Sequence, residues 1–531
     1  MSLARLLPAM FLAAICAGAP LLAMAIPEAP LQMSQSQGAT PDLWAGVDVG
    51  TQSLRVQLVD ATGAVVGRGA GPLVSRRDAG RHEQDPEQWW RVLGDAVRQA
   101  LDGIAADRVI GLAICSTSGT FLLVDDADRP RTAAIMYDDS RAGAEAAEVA
   151  EVGAVTWQAL GYPMQRAWAL PKLVWVLRHG APELQADGRA GRIHLQHSAD
   201  FLAARLTGVR VATDWSHALK TGYDLDALEW PAEVLSRLDV PLEMLPEVVR
   251  PGTELGRVGY AGAAHTGLRV GTPVRAGMTD GCAAQVAANA LLPGSWNSVL
   301  GTTLVLKGVT DRRLEDPGGA VYSHRHPDGG WLPGGASSVG AGALEAAFPG
   351  ADRHRLEAAA ADHEPSTGLI YPLVSRGERF PFVNAEAEAF EIGEFADDGD
   401  RYAALLQGVA FVERLCFATL RRLGADVSGP VSMTGGATGS AYWTQIRADV
   451  LGREIVLPAH SESVVGAAIV AAAGDGPLAQ AADRMSGTGS VVRPRPGTAD
   501  RFDGAYSRFL DALCDRGYID PGLAGYAKIS R

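Results

Sequence analysis

The chain of 531 residues is 47% hydrophobic and 20% charged, an ordinary globular balance with room for two or more cores. Its net charge is −14 and no basic run of five residues occurs, which argues against nucleic acid or an anionic membrane surface as a partner. The five cysteines, Cys16, Cys115, Cys282, Cys416 and Cys514, form no CxxC pair and no zinc-type spacing, so they read as incidental thiols of a reducing compartment.

At the N-terminus, Arg5 precedes a charge-free stretch from Leu6 to Ile26 that ends near Ala23-Met24-Ala25, the pattern of a secretory signal. Pro8 and Pro20 weaken a spanning helix. The alternative is a start downstream, for instance at Met33. In either case residues 1–42 are an extension, and fold reasoning begins at Leu43.

Apolar strand residues lead into Asp48-Val49-Gly50-Thr51, and Val56 and Leu58 lead out along a second strand. A glycine lets backbone N–H groups approach phosphate oxygens, a threonine donates a hydrogen bond and an aspartate holds hydrated magnesium. Asp and Gly in a hairpin are also ordinary turn chemistry. Residues Ser298–Val309 repeat the plan around Gly301-Thr302-Thr303, about half a chain later. Two facing glycine–hydroxyl hairpins can grip a polyphosphate from both sides.

Between the hairpins, short apolar strands alternate with amphipathic helices. Val109–Cys115 reads as a buried strand, with Phe121–Asp125 as its partner after the turn Ser116–Thr120. Helices are expected at Pro86–Leu101, Ala142–Val152 and Asp200–Leu206, then a loop-rich stretch from Thr207 to Pro251. In the second half a helix spans Arg401–Leu423, strand Val431–Met433 enters the turn Gly435-Gly436-Ala437, and a last helix lies near Tyr506–Cys514. Two similar α/β halves, 43–292 and 293–531, would enclose a ligand cleft.

These motifs, in order, resemble the FGGY family of carbohydrate kinases over Leu43 to about residue 475. The resemblance also rests on His82–Trp90, Tyr137–Ala142, Tyr223-Asp224-Leu225 with Trp230-Pro231, Gly277–Ala284, Gly377–Pro381, and Glu462 with Gly466-Ala467-Ala468. It implies a duplicated actin-like (ribonuclease H-like) fold, ATP and Mg2+, and a sugar substrate bound between the halves. Thr117–Thr120 and Met136–Asp139 are most similar to the D-ribulose or D-xylulose kinase branch. Two positions depart from the pattern. Cys115-Ser116 stands where relatives carry Asp-Gly or Gln-Gly, and Tyr137 where many carry tryptophan.

By this resemblance Asp280 is the base that takes the proton of the attacking sugar hydroxyl, although a carboxylate there is also a good helix cap. Asp48 is the magnesium residue. Gly50, Thr51, Gly301, Thr302, Thr303, Gly435, Gly436 and Ala437 face the nucleotide, while Ser118, Asp139 and Asp280 face the sugar. Asp139 is equally suited to an ion pair with Arg141. Glu378 and Arg379 read as a structural pair, Trp89 and Trp90 as core anchors, and no histidine spacing assigns chemistry. The expected activity is ATP-dependent phosphorylation of a ketopentose, D-ribulose first, at its terminal hydroxyl. D-Xylulose or another polyol is the alternative acceptor, and an actin-like nucleotide switch the alternative class. An exported sugar-binding relic follows only from a working signal. Since ATP is abundant in cytosol, a cytoplasmic location is expected, and a homodimer is allowed for.

Overall fold

The first glycine turn closes a hairpin in which Leu43–Val49 pairs antiparallel with Ser53–Asp60, setting Val47 against Val56 and Asp48 against Arg55. Val65–Pro72 extends the antiparallel side, and Val109–Ser116 lies parallel on the other side of Leu43–Val49. Pro273–Arg275 and Glu254–Arg257 complete six strands. The protein is described from a computed structural model covering residues 42–487, 489–498 and 500–530. The described residues form one compact unit. The signal-like segment, Met33 and Cys16 lie outside the described residues.

The second glycine turn repeats the arrangement. Trp296–Leu300 pairs antiparallel with Leu304–Gly308, Trp331–Ser337 extends that side, and Val431–Thr434 lies parallel to Trp296–Leu300. The sheet has seven strands. Hairpin, third antiparallel strand and parallel fourth strand recur in the same order, so the duplicated actin-like α/β fold is present.

Most helices follow the apolar spacing: Pro86–Ala100, Gly143–Val152, Ser198–Thr207 and Asp503–Asp515. Asp398–Arg422 is long and apolar enough to cross a membrane, yet it is the buried core helix of the second half. It carries Glu413, which is fully buried against the equally buried Arg447. Short helices at Trp215–Ala218 and Ala232–Arg237 interrupt the stretch expected as loop.

Phe121–Asp125 does not pair with Val109–Ser116 as expected. Gly119, at φ +92°, turns the chain away, and the strand joins Ile193–His197 in a separate five-stranded sheet. Helix Ser463–Ala473 belongs to the second half of the sequence. It packs on the first sheet and beside helix Asp280–Ala287. A Cβ on Gly46 would fall 1.8 Å from the Val464 carbonyl, and one on Gly466 1.8 Å from that of Ala283, so only glycine allows this approach.

Candidate active site

Asp280 is the first residue of helix Asp280–Ala287 and is half-buried, with Oδ1 accepting from the Gly281 N–H at 2.7 Å. Burial and the nearby Asp48 charge push its pKa up, while Lys220 and His217 oppose the rise. A carboxyl so tuned is suited to taking a proton.

Asp48 is the last residue but one of the first strand and is 1% exposed. Its Oδ2 accepts from Arg55 Nη2 at 2.6 Å and Ser463 Oγ at 2.9 Å, while Oδ1 meets only the Cys115 thiol at 3.6 Å. The Cys115-Ser116 departure thus has a structural consequence. Cys115 lies under Asp48, and Ser116 Oγ lies 2.8 Å from His217 Nε2. His217 Nδ1 in turn pairs with Asp214, whose Oδ1 accepts from Ser216 Oγ at 2.6 Å. Ser216 Oγ accepts the Thr279 N–H at 2.9 Å, which fixes the residue before Asp280. The sequence assigned no role to any histidine. This chain joins residues about a hundred positions apart, and spacing does not show it.

Ser118 Oγ is buried without a partner among the described residues. Tyr137 is 39% exposed, next to Thr51 and Asp280. Asp139 is not open to a ligand. It is fully buried, with Oδ1 taking Arg141 Nε at 2.9 Å and Oδ2 taking Arg141 Nη2 and the His82 N–H, each at 2.6 Å. The ion pair occupies both oxygens, so its place as a sugar ligand is corrected to a structural one. Three lysines missed by sequence reading lie here. Lys172 donates to the carbonyls of Gly119 and Met136, Lys220 to that of Ser118, and Lys307 reaches Cys282 Sγ. Burial pulls the Lys172 pKa down to about 7.

Gly301, Thr302, Gly436 and Ala437 line one cavity of about 520 Å³ with Ala341, Tyr402 and Ser440. A Cβ on Gly301 or Gly436 would meet no protein atom within 4 Å, leaving backbone open to a ligand. Gly435 sits at φ +92°, where a Cβ would strike the Leu300 carbonyl. Gly435 and Thr303 border this cavity without lining it, and Gly50 and Thr51 belong to the first hairpin. Glu378 and Arg379 are not an ion pair. Glu378 accepts from Ser337 Oγ, the Ser338 N–H and Tyr371 OH, and so anchors the strand after the second hairpin. Trp89 is a core anchor, bonded through Nε1 to Gln84 at 2.7 Å.

Family models for the N- and C-terminal domains of the FGGY carbohydrate kinases match residues 43–287 and 297–474. The chain belongs to the FGGY family of carbohydrate kinases. It is 30% identical to a xylulose kinase of Streptomyces rubiginosus, over 90% of this chain and 97% of that protein. An autoinducer-2 kinase of Enterobacter is 26% identical over 90% and 95% of the two chains. The structure of a xylulose kinase from Rhodospirillum rubrum superposes with a TM-score of 0.79 at 29% identity, covering 89% of this chain and 98% of that one. This FGGY protein is therefore a sugar kinase.

Proposed function

We propose that this kinase transfers the γ-phosphoryl group of ATP to the terminal hydroxyl of a ketopentose. The observation that carries the reading is Asp280, a carboxylate of raised pKa at a helix N-terminus, beside Asp48 of the first hairpin. Asp280 accepts the hydroxyl proton as the sugar oxygen bonds to phosphorus. The transition state is loose, so positioning and charge neutralisation dominate over base strength. The Gly301–Thr302 and Gly436–Ala437 cavity would hold the nucleotide, with Thr303 and Gly435 shaping its rim. Gly50 and Thr51 would meet the transferred phosphate.

Mg2+ fits this donor set through Asp48 Oδ1, the oxygen not committed to Arg55. Among the described residues no group of three or more ligating side chains exists, so phosphate and water would complete the shell. When bound, the ion neutralises charge on the phosphates.

Two relatives named xylulose kinase support a ketopentose, and D-xylulose stands beside D-ribulose as acceptor. The autoinducer-2 kinase at similar identity is a reason to test acceptors broadly. An actin-like switch would need no base beside a sugar subsite. The supply of ATP supports a cytoplasmic location. The test is ADP release from purified protein with D-xylulose, D-ribulose or no sugar. Release that requires a ketose supports the reading, and release indifferent to sugar favours the switch.

A further inference from the structure

Tyr137 brings a hydroxyl to a position where many relatives carry tryptophan. The loop that carries it is held by its neighbours and not by the phenol. The Met136 N–H donates to the His82 carbonyl at 2.9 Å, and Lys172 Nζ donates to the Met136 carbonyl at 2.7 Å. Asp138 pairs with the His82 ring and with Arg77, while Asp139 takes the His82 N–H and Arg141. Tyr137 itself is 39% exposed, so burial does not account for its hydroxyl.

The strand that pins this loop also holds the first glycine turn. Arg81–Gln84 carries His82 against the Tyr137 loop and, two residues on, Gln84. Gln84 is buried, with Nε2 donating to the Thr51 carbonyl at 2.7 Å and Oε1 accepting from Trp89 Nε1 at 2.7 Å. One short strand thus fixes Tyr137 and Thr51 as neighbours, and their hydroxyls are hydrogen-bonded. Burial and the charges of Asp138 and Asp280 push the phenol pKa up, so it stays a proton donor. An indole has one N–H and no acceptor, whereas a phenol both donates and accepts.

A threonine hydroxyl has a single proton to give, and its direction is free unless something fixes the oxygen. We propose that Tyr137 is a positioning residue for phosphoryl transfer: its O–H donates to Thr51 Oγ1 and leaves the threonine proton aimed at the transferred phosphate. Donation into a hydroxyl also strengthens that hydroxyl as a donor. Tyr137 lies beside Asp280 as well, so one side chain ties the base of the sugar hydroxyl to the phosphate turn. The bonds made and broken are those of the transfer itself, and Tyr137 keeps its proton throughout. The proposal rests on the kinase reading above.

The experiment measures initial rates with ATP and D-xylulose or D-ribulose for the full chain and its variants. These are Tyr137→Phe, Thr51→Val, the double variant and Tyr137→Trp, each checked for an unchanged melting profile. Tyr137→Phe keeps the ring and should lower kcat about 5- to 30-fold, with the ketose KM within about twofold. In the Thr51→Val background the same change should cost less than about twofold, because the hydroxyl it orients is gone. Tyr137→Trp should do no better than Tyr137→Phe. Calorimetry without sugar should show affinity for MgATP, taken relative to MgADP, falling about threefold in each single variant and no further in the double. An unaltered kcat in Tyr137→Phe overturns the proposal, as does full activity in Tyr137→Trp. So does a raised ketose KM with kcat kept, which would make the phenol a wall of the sugar pocket, or single losses that multiply in the double variant. No turnover of the wild type with either ketose defeats the kinase reading. The MgATP comparison then decides the contact separately, and an unmoved or multiplying ratio overturns it.

Discussion

Arg55 and Asp48 stand directly opposite each other across the first hairpin, with Nη2 2.6 Å from Oδ2. Ser463, 415 residues later, donates to the same oxygen. One Asp48 oxygen is thereby committed to Arg55 and Ser463, while the other meets the Cys115 thiol at 3.6 Å. The pairing also joins the first hairpin to the helix Ser463–Ala473 of the second half.

Replacing Asp48 with alanine should therefore damage turnover more than sugar binding. The expected loss in kcat is on the order of 10²-fold, with the sugar KM within a few-fold. Steady-state rates across a magnesium titration check this. A near-normal rate at the wild-type magnesium midpoint would remove Asp48 from the metal role.

Asp280→Asn should inactivate the enzyme while stabilising it at neutral pH. Burial and Asp48 raise the folded-state pKa of Asp280 above its unfolded value. Such a group favours folding below the unfolded pKa, and this contribution is lost as pH rises through the folded pKa. At pH 8 the ionised carboxylate is thus a burden that asparagine relieves. Thermal melts at pH 8 should give the variant a Tm at or above that of wild type, and a clear drop would contradict the strain.

The acid limb of kcat/KM should lie above the ordinary carboxylate range, since turnover needs ionised Asp280 and its pKa is raised. His217 holds a proton more firmly than usual because Asp214 faces it, and its charge favours the Asp280 carboxylate. In His217→Asn that charge is gone, so the limb should move to higher pH. Asn retains a donor toward Asp214. A pH–rate profile with an unmoved limb would confine His217 to a packing role.

Removing one partner of the buried Arg447–Glu413 pair should be severe. Arg447 Nε donates to Glu413 Oε2 at 2.7 Å, Ser298 Oγ lies 2.5 Å from Oε1, and all three residues are fully buried. Arg447→Met leaves Glu413 charged and unmatched, at a cost of about 3–5 kcal/mol. Denaturant titration gives the value, and a loss under about 1 kcal/mol would mean water reaches the pair.

Local patterns made much of this legible in the sequence. Both hairpins, the helix spacing and the position of Asp280 are written in contiguous residues, and they imply the fold. What remained hidden depends on contacts distant in sequence. The turn at Gly119 alone does not say which sheet receives Phe121–Asp125. Asp139 faces Arg141 because the His82 backbone completes its shell, which motif order cannot show. Ser116 meets His217, and Lys220 and Lys307 converge from different halves, so their chemistry exists only once the chain is folded. The acceptor's stereochemistry was not legible either, and D-ribulose and D-xylulose remain paired as candidates.

The central claim is that Asp280 serves a sugar hydroxyl in a phosphoryl transfer. It is tested most directly by ADP release with D-xylulose or D-ribulose, in wild type and Asp280→Asn, with nucleotide binding measured in parallel. Release should require the ketose and fall by about 10²-fold or more in the variant, while ATP affinity stays within a few-fold. Ketose-independent release, or a variant that keeps most of its turnover, would contradict it.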